Sequence, residues 1–491
     1  MIGTLSASGC AVGPNFSRPA APSTDRYTET VNAPSGRASQ TLVAGADLAG
    51  DWWTLFHSPA LTRLVVTALH DNPSLESSRD ALLQAQETTL AQEGSFFPSI
   101  SGQLSHTREK ISTAGEGLAP GTQTGVAQTF SVDTAQLNVS YTFDVWGANR
   151  RAVEADVGRA DYQRYLLEGA ANMLAANTAD AAITEASLAA QIDAERDSLG
   201  AQQHLLTIIH NQFEDGAATG ADVASQQTQV AQTEALLPPL LTQLSQTRDQ
   251  LADYLGTLPS DAGGAVPMLA LSDITLPMQV PLSLPSALVE QRPDIRAAEA
   301  QLHTASAELG VAIANRLPQF TLTGAIGSEA ARPYQLFSPG TGEFSFLEQA
   351  LTPIFQGGTL LHQQRAARDA LLGAAASYKN TVIGGYQNVA DALVALGNDA
   401  DAETADQNAL TAAARALRLA QIEYQAGSAN YQTVLTAQVQ DQTAMINAIK
   451  ATAARDTDTV ALFTALGGGW WNRADAAPPP AGLLKSLVPL T

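Results

Sequence analysis

The 491-residue sequence has one cysteine, Cys10. One cysteine excludes a disulfide framework within the chain and any cysteine-rich metal site. Charge is sparse: Asp, Glu, Lys and Arg make up 15% of residues, and the 26 Lys and Arg are outnumbered by 48 Asp and Glu, for a net charge of −22. Binding a phosphate backbone needs clustered cations, so the balance argues against a nucleic-acid partner. An acidic surplus suits a solvated surface or a cation-selective pore. No run of 18 or more apolar residues occurs, which excludes a membrane-spanning helix but not barrel strands, whose signal is far weaker. The seven histidines (His57, His70, His106, His204, His210, His303 and His362) are scattered. H-E-x-x-H, phosphate-loop, nucleophile-elbow and dinucleotide-glycine patterns are all missing, so nothing points to an enzyme, a cofactor or a metal. Arg292, Asp294, Arg296 and Glu299 do cluster, and capping with salt bridges accounts for them.

Proline is missing from 148–213 and from 359–424. As helix, about 65 residues at 1.5 Å each would reach about 100 Å, far beyond a globular helix, so these read as coiled-coil-like rods. Their interiors are rich in Ala, which lets helices approach closely. Against this helical background, "AQLNVSYTFDVW" (135–146) alternates: Ala135, Leu137, Val139, Tyr141, Phe143 and Val145 are apolar, whereas Gln136, Asn138, Ser140, Thr142 and Asp144 are polar. Period two marks a strand with one greasy and one wet face. "SISGQLSH", "FTLTGAIG" and, less cleanly, "FSFLEQALTPIF" are its companions.

The chain repeats itself. Gly147 and Gly358, Gly216 and Gly427, and Gly256 and Gly467 are each 211 positions apart; Pro73 and Pro293, and Pro98 and Pro318, are 220 apart. The division expected is a truncated or atypical lipoprotein signal at 1–10, an extended segment at 11–60, repeat one at 61–256, a linker at 257–286, repeat two at 287–467 and a tail at 468–491. Within repeat one lie a strand hairpin near 99–146, a long helix at 148–213 and a return helix at 222–256. Within repeat two the counterparts are 319–356, 359–424 and 432–467. Gly216 and Gly427 mark the helix-to-helix turns, and Pro238-Pro239 is expected to interrupt the first return helix.

Four strands of about ten residues are long enough to cross a bilayer but too few to close a barrel, and an open edge is not tolerated in lipid. Either the sheet is soluble, or several chains share one barrel: eight strands for a dimer, twelve for a trimer, the latter wide enough for a channel. In that case odd-numbered residues of 135–145 face lipid and even-numbered ones the lumen. "LSASGCAVGPNFSRP" resembles the end of a bacterial lipoprotein signal, with Cys10 as the acylated residue; Ala7 stands where Leu is usual, and a basic n-region is missing.

Together "GCAVGPNFSRP", "DWWTLFHSPALTRLVVTALHDNPSL", "LPSALVEQRPDIRAAEAQL", "NRLPQFTLTG", "YQAGSANYQTVLTAQ" and "ALGGGWW" make the chain resemble the TolC-like outer-membrane efflux factors. The branch is the lipoprotein (NodT/OprM-like) one that serves resistance-nodulation-division (RND) pumps, and the resemblance runs from Cys10 to about Trp471. It implies a mainly α fold with a small β part: a homotrimer sharing a twelve-strand outer-membrane barrel above a periplasmic α-barrel. It further implies a lipid-anchored passive exit duct for drugs or other small toxic compounds, docked to a periplasmic adaptor and an inner-membrane RND transporter. The gate would lie at the helix tips, with Asp222 and Tyr424 matching the family's tip acid and tyrosine. Ala429 replaces a frequent basic residue, and Thr433 and Thr436 stand where acids are common. Closure would then use Asp222–Tyr424 hydrogen bonding with Tyr431, Gln432 and Leu435. The turns carrying Gly216, Ala217, Thr219, Gly427, Ser428 and Asn430 would receive the adaptor. A protein or peptide secretion channel of the same fold, and a soluble coiled-coil scaffold, are the alternative readings.

Overall fold

The computed structural model describes residues 11–24, 26–28, 40–110, 129–261, 267 and 269–473. Cys10, with the signal-like region, and the tail beyond 473 lie outside the described residues. Fourteen principal elements follow in chain order: β1 (Thr41–Ala44), α1 (Pro59–Asp71), α2 (Pro73–Glu93), β2 (Ser99–Lys110), β3 (Thr129–Phe143), α3 (Ala148–Glu214), α4 (Gly220–Tyr254), β4 (Gln279–Leu282), α5 (Pro285–Gln291), α6 (Pro293–Ala314), β5 (Gln319–Ala330), β6 (Gly342–Leu351), α7 (Thr359–Gln425) and α8 (Tyr431–Ala465). The chain is predominantly helical, with α3 and α7 each 67 residues and α4 and α8 each 35.

Local chemistry sets the boundaries. Pro59, Pro73, Pro285 and Pro293 open their helices, where a missing N–H costs nothing. Asn72 ends α1 and caps α2, its side-chain oxygen accepting from the Ser74 and Leu75 amides at 2.9 and 3.2 Å. β3 ends at Phe143, and Asp144 turns to the start of α3, where its carboxylate accepts from the Asn149 and Arg150 amides at 2.9 and 3.1 Å. Asp144 is therefore a helix cap and not a strand residue of the polar face, because a carboxylate at a helix N-terminus satisfies otherwise unpaired donors.

β2, β3, β5 and β6 form one antiparallel sheet in that order, and β1 pairs in parallel with β4. The register puts Val139 between Ile100 and Gly324, and Leu137 between Gly102 and Ile326. One face is thus apolar across all four strands. On the other, Gln136 and Asn138 both donate to Gln103. Among the described residues, the backbones of β2 and β6 have no neighbour on their outer edges.

α4 runs without interruption through Pro238 and Pro239, contrary to the expected break. The carbonyls these prolines leave unpaired belong to Glu234 and Ala235, both exposed, so water can satisfy them. The extended segment and the linker also hold structure: β1 and a 3-10 turn, Trp52–Phe56, fall within 11–60, and β4 falls within 257–286.

The main core lies where α1, α3, α7 and α8 meet the 3-10 turn. Trp52, Phe56 and Phe463 pack ring against ring at 5.7–6.5 Å, and α3 contributes Ala175, Ala179, Ala182 and Ile183. The charged cluster of "RPDIRAAE" fastens this region. Arg292 donates to the Ala465 carbonyl at the end of α8 (2.7 Å) and pairs with Asp294; Arg296 pairs with Glu299 and donates to the Tyr165 hydroxyl. The Trp470 indole donates to the Gln291 carbonyl at 2.6 Å.

Candidate functional site at the helix tips

The two hairpins turn at the end of the molecule opposite the sheet. Gly216 and Gly427 adopt φ of +73° and +72°, the left-handed conformation that lets a helix stop and reverse. After the first turn, Thr219 and Asp222 form a reciprocal capping box: the Asp222 amide donates to the Thr219 hydroxyl at 3.2 Å, and the Thr219 amide to the Asp222 carboxylate at 2.9 Å. After the second, Asn430 accepts from the Thr433 amide (3.1 Å) and hydroxyl (2.9 Å). Gly216, Ala217, Thr219, Gly427, Ser428 and Asn430 are all exposed, so both turns offer their backbone outward.

Behind the turns the hairpins are sewn together by tyrosine and glutamine. Tyr424 on α7 donates to the Gln212 side chain on α3 at 2.9 Å, and Tyr431 on α8 donates to Gln226 on α4. Gln226 is fully buried and itself donates to the Gln202 carbonyl at 2.8 Å. The two tyrosine rings are 5.4 Å apart, and Tyr431, Val434 and Leu435 pack with Ile209 and Ala420. Burial, and then the nearby Asp222, pushes the Tyr424 hydroxyl above its ordinary range. Tyr431 is shifted the same way by burial, Tyr424 and Asp222. Both remain protonated donors at neutral pH.

The direct Asp222–Tyr424 bond expected from the sequence is not formed within the chain. Thr219 engages the Asp222 carboxylate and Gln212 accepts the Tyr424 proton, each a nearer partner. Tyr431 and Leu435 are buried in the chain, whereas Gln432, Thr433 and Thr436 are exposed. The roles of Gln212 and Gln226 were not visible in the sequence, since glutamine is scattered along every long helix. A groove of about 590 Å³ runs beside the tip, lined by Gln202, Leu205, Gln212, Tyr424 and Gln438.

A second cluster also escaped the sequence reading. Asp458 on α8 lies with Asp180 on α3 and Asp399 on α7, and on the same stretch of α8 Arg455 pairs with Glu403 of α7 at 2.6 Å beside Asp456. Burial raises Asp180 to about 7, with Asp458 adding repulsion. Burial also raises Asp456 to about 8, with Glu403 adding to the shift and Arg455 opposing it. Asp458 rises to about 7 through burial and its hydrogen bond with Asp399. Among the described residues no group of His, Cys, Asp and Glu has the arrangement of a metal site.

The profile of the outer membrane efflux protein family matches residues 64–257 and 284–468, which is most of the chain. The chain belongs to the outer membrane efflux protein family. It is 30% identical over 488 residues to the toluene efflux pump outer membrane protein TtgF of Pseudomonas putida, covering 96% of each chain. It is 29% identical over 470 residues to the outer membrane protein OprJ of Pseudomonas aeruginosa, covering 95% of this chain and 94% of OprJ. The fold matches a crystal structure of a Pseudomonas aeruginosa membrane protein at a TM-score of 0.84, with 26% identity over 95% of this chain and all of that one. It also matches the Campylobacter jejuni CmeC outer membrane channel at 0.85, with 21% identity over 95% of this chain and 97% of CmeC. The protein is thus an outer-membrane efflux channel component, not an enzyme.

Proposed function

We propose that three copies of this chain form the exit duct of a tripartite RND-type pump, carrying drugs or other small toxic compounds across the outer membrane. One observation carries the reading: a four-strand sheet with an exposed apolar face and, among the described residues, two unpaired edges. The strands alternate in direction, so β6 of one copy can pair antiparallel with β2 of the next, and three copies close a twelve-strand barrel without an edge. The polar face then lines the lumen, and the helices continue the duct into the periplasm as an α-barrel. Two structural repeats fit this plan: Gly147 and Gly358 both have left-handed φ and both precede a 67-residue helix. The related pumps named for toluene and other solvents favour small compounds over peptides as cargo.

A covalent lipid on Cys10 completes the anchoring. The Val12 amide donates to the Trp146 carbonyl at 3.0 Å, at the junction of β3 and α3, so Val12 is held at the level where the barrel would end. The exposed turns form the docking surface for a periplasmic adaptor, and the tyrosine–glutamine bonds hold the tip closed until the adaptor and the inner-membrane transporter engage. Expression in a host lacking its own efflux channels tests the reading. Restored solvent and drug tolerance, with the protein in the outer-membrane fraction, is expected. A soluble product without effect on tolerance contradicts it.

A further inference from the structure

The far rim of the sheet sorts charge by face. The apolar face carries Ile100 and Leu104 on β2, and the same face continues along β2 with His106, Arg108 and Lys110, opposite Asp133, Ser131 and Thr129. Glu109, Glu329 and Glu343 fall on the other face, which carries Gln136 and Asn138. In a chain with 26 cations and a net charge of −22, this outward gathering of bases is not a result of composition. Two acids share the outer face. Asp133 is buried and held by His106 at 2.7 Å, and Glu348 lies opposite Leu322 near the helix-proximal end.

The β5–β6 connection adds to the same side. Ser328, on the apolar face, accepts from the Phe337 amide at 2.9 Å and donates to the Thr341 hydroxyl at 2.7 Å, folding the loop outward. Phe337 sits at φ +63° with its side chain out: Phe337 is 76% and Tyr334 72% exposed. Arg332, also exposed, donates to the Tyr334 hydroxyl at 2.9 Å.

Height fits a membrane surface. Arg108 pairs with Ser131, twelve residues along β3 from Phe143. At about 3.3 Å per residue and a tilt of about 40°, that is about 30 Å, just past a barrel's apolar band of about 25 Å. Cations and aromatic rings at that level meet headgroups.

We propose that Arg108, Lys110 and Arg332 bind the phosphates of a phosphorylated glycolipid in the outer leaflet, with Tyr334 and Phe337 seated beside its sugar and acyl boundary. The inference rests on the reading that the apolar face meets lipid and that the rim points away from the cell. The test is native mass spectrometry of detergent-purified protein with three probes: a diphosphorylated lipid A-type glycolipid, its dephosphorylated form, and phosphatidylglycerol. The first should be retained at least about 10-fold better than the other two, a preference worth about 1.4 kcal/mol. It should be lost in the Arg108→Gln/Lys110→Gln/Arg332→Gln variant and kept in Glu109→Gln. An intact trimer that holds all three lipids equally, or whose triple variant retains the phosphorylated glycolipid as well as before, overturns the inference alone. A soluble monomer, scored before any lipid is added, overturns the membrane reading and this one with it.

Discussion

The Tyr424 hydroxyl and the Gln212 side chain, 2.9 Å apart, join the long helices of the two hairpins just behind the exposed turns. Tyr431 and Gln226 do the same for the two return helices. We predict that Tyr424→Phe with Gln212→Leu raises single-channel conductance in planar bilayers, because it removes the cross-hairpin tie and replaces both partners by apolar groups. Tyr431→Phe should cost more stability, about 1–3 kcal/mol, because it leaves the fully buried Gln226 oxygen without a donor. Unchanged conductance in the double variant would remove these bonds from the gate.

The carboxylates between α3, α7 and α8 predict a pH response. Asp180, Asp456 and Asp458 all titrate higher in the folded chain than their ordinary value of 3.8. Groups raised in this direction contribute stability that is fully present below the unfolded pKa and is lost as pH rises through about 7 to 8. Thermal melting in detergent should therefore fall between pH 5 and about pH 9. Asp180→Asn with Asp456→Asn and Asp458→Asn should flatten the profile. A profile that keeps its slope in that variant would assign the effect elsewhere.

The two faces of β3 predict opposite outcomes for neighbouring substitutions. Val139 lies on the apolar face, about 10 Å above Phe143 by strand rise and tilt, so Val139→Lys should cost about 2–4 kcal/mol per chain and lower trimer yield. Ser140→Lys, on the polar face, should leave the trimer intact and reduce cation selectivity. Equal trimer loss in both would contradict the assignment of faces.

Gly469 stands at φ +67°, and a side-chain carbon added there would lie 2.2 Å from the Ala49 carbonyl oxygen. Gly469→Ala would add about 1–2 kcal/mol of backbone strain to that clash. It should displace Trp470 from the Gln291 carbonyl it bonds. Red-shifted tryptophan emission and a lowered melting temperature are expected; a native spectrum would show that the contact is dispensable.

The sequence exposed whatever repeats along the chain. Alternation at 135–146 marks β3 because only one face of that strand is apolar, and a register fixed by burial preserves period two. The proline-free stretches hold α3 and α7. What escaped is non-local. Gln212 and Gln226 matter only through tyrosines two hundred positions away, and the carboxylate cluster is assembled from three helices, with no mark on any one of them. β1 and β4 are four residues each, too short for a pattern. Pro238-Pro239 misleads in the other direction, because a solvated helix face can leave carbonyls to water. Asp144 continues the strand pattern by one polar residue, yet the backbone has already turned and its carboxylate serves the next helix.

The central claim is that three chains close one barrel, and the mass of the purified complex tests it most directly. Mass photometry of the detergent-extracted protein, corrected for bound detergent, should give three times the 51.2 kDa of the chain. On gels that species should collapse to the single chain only on heating. A particle with the mass of one or two chains would contradict the account.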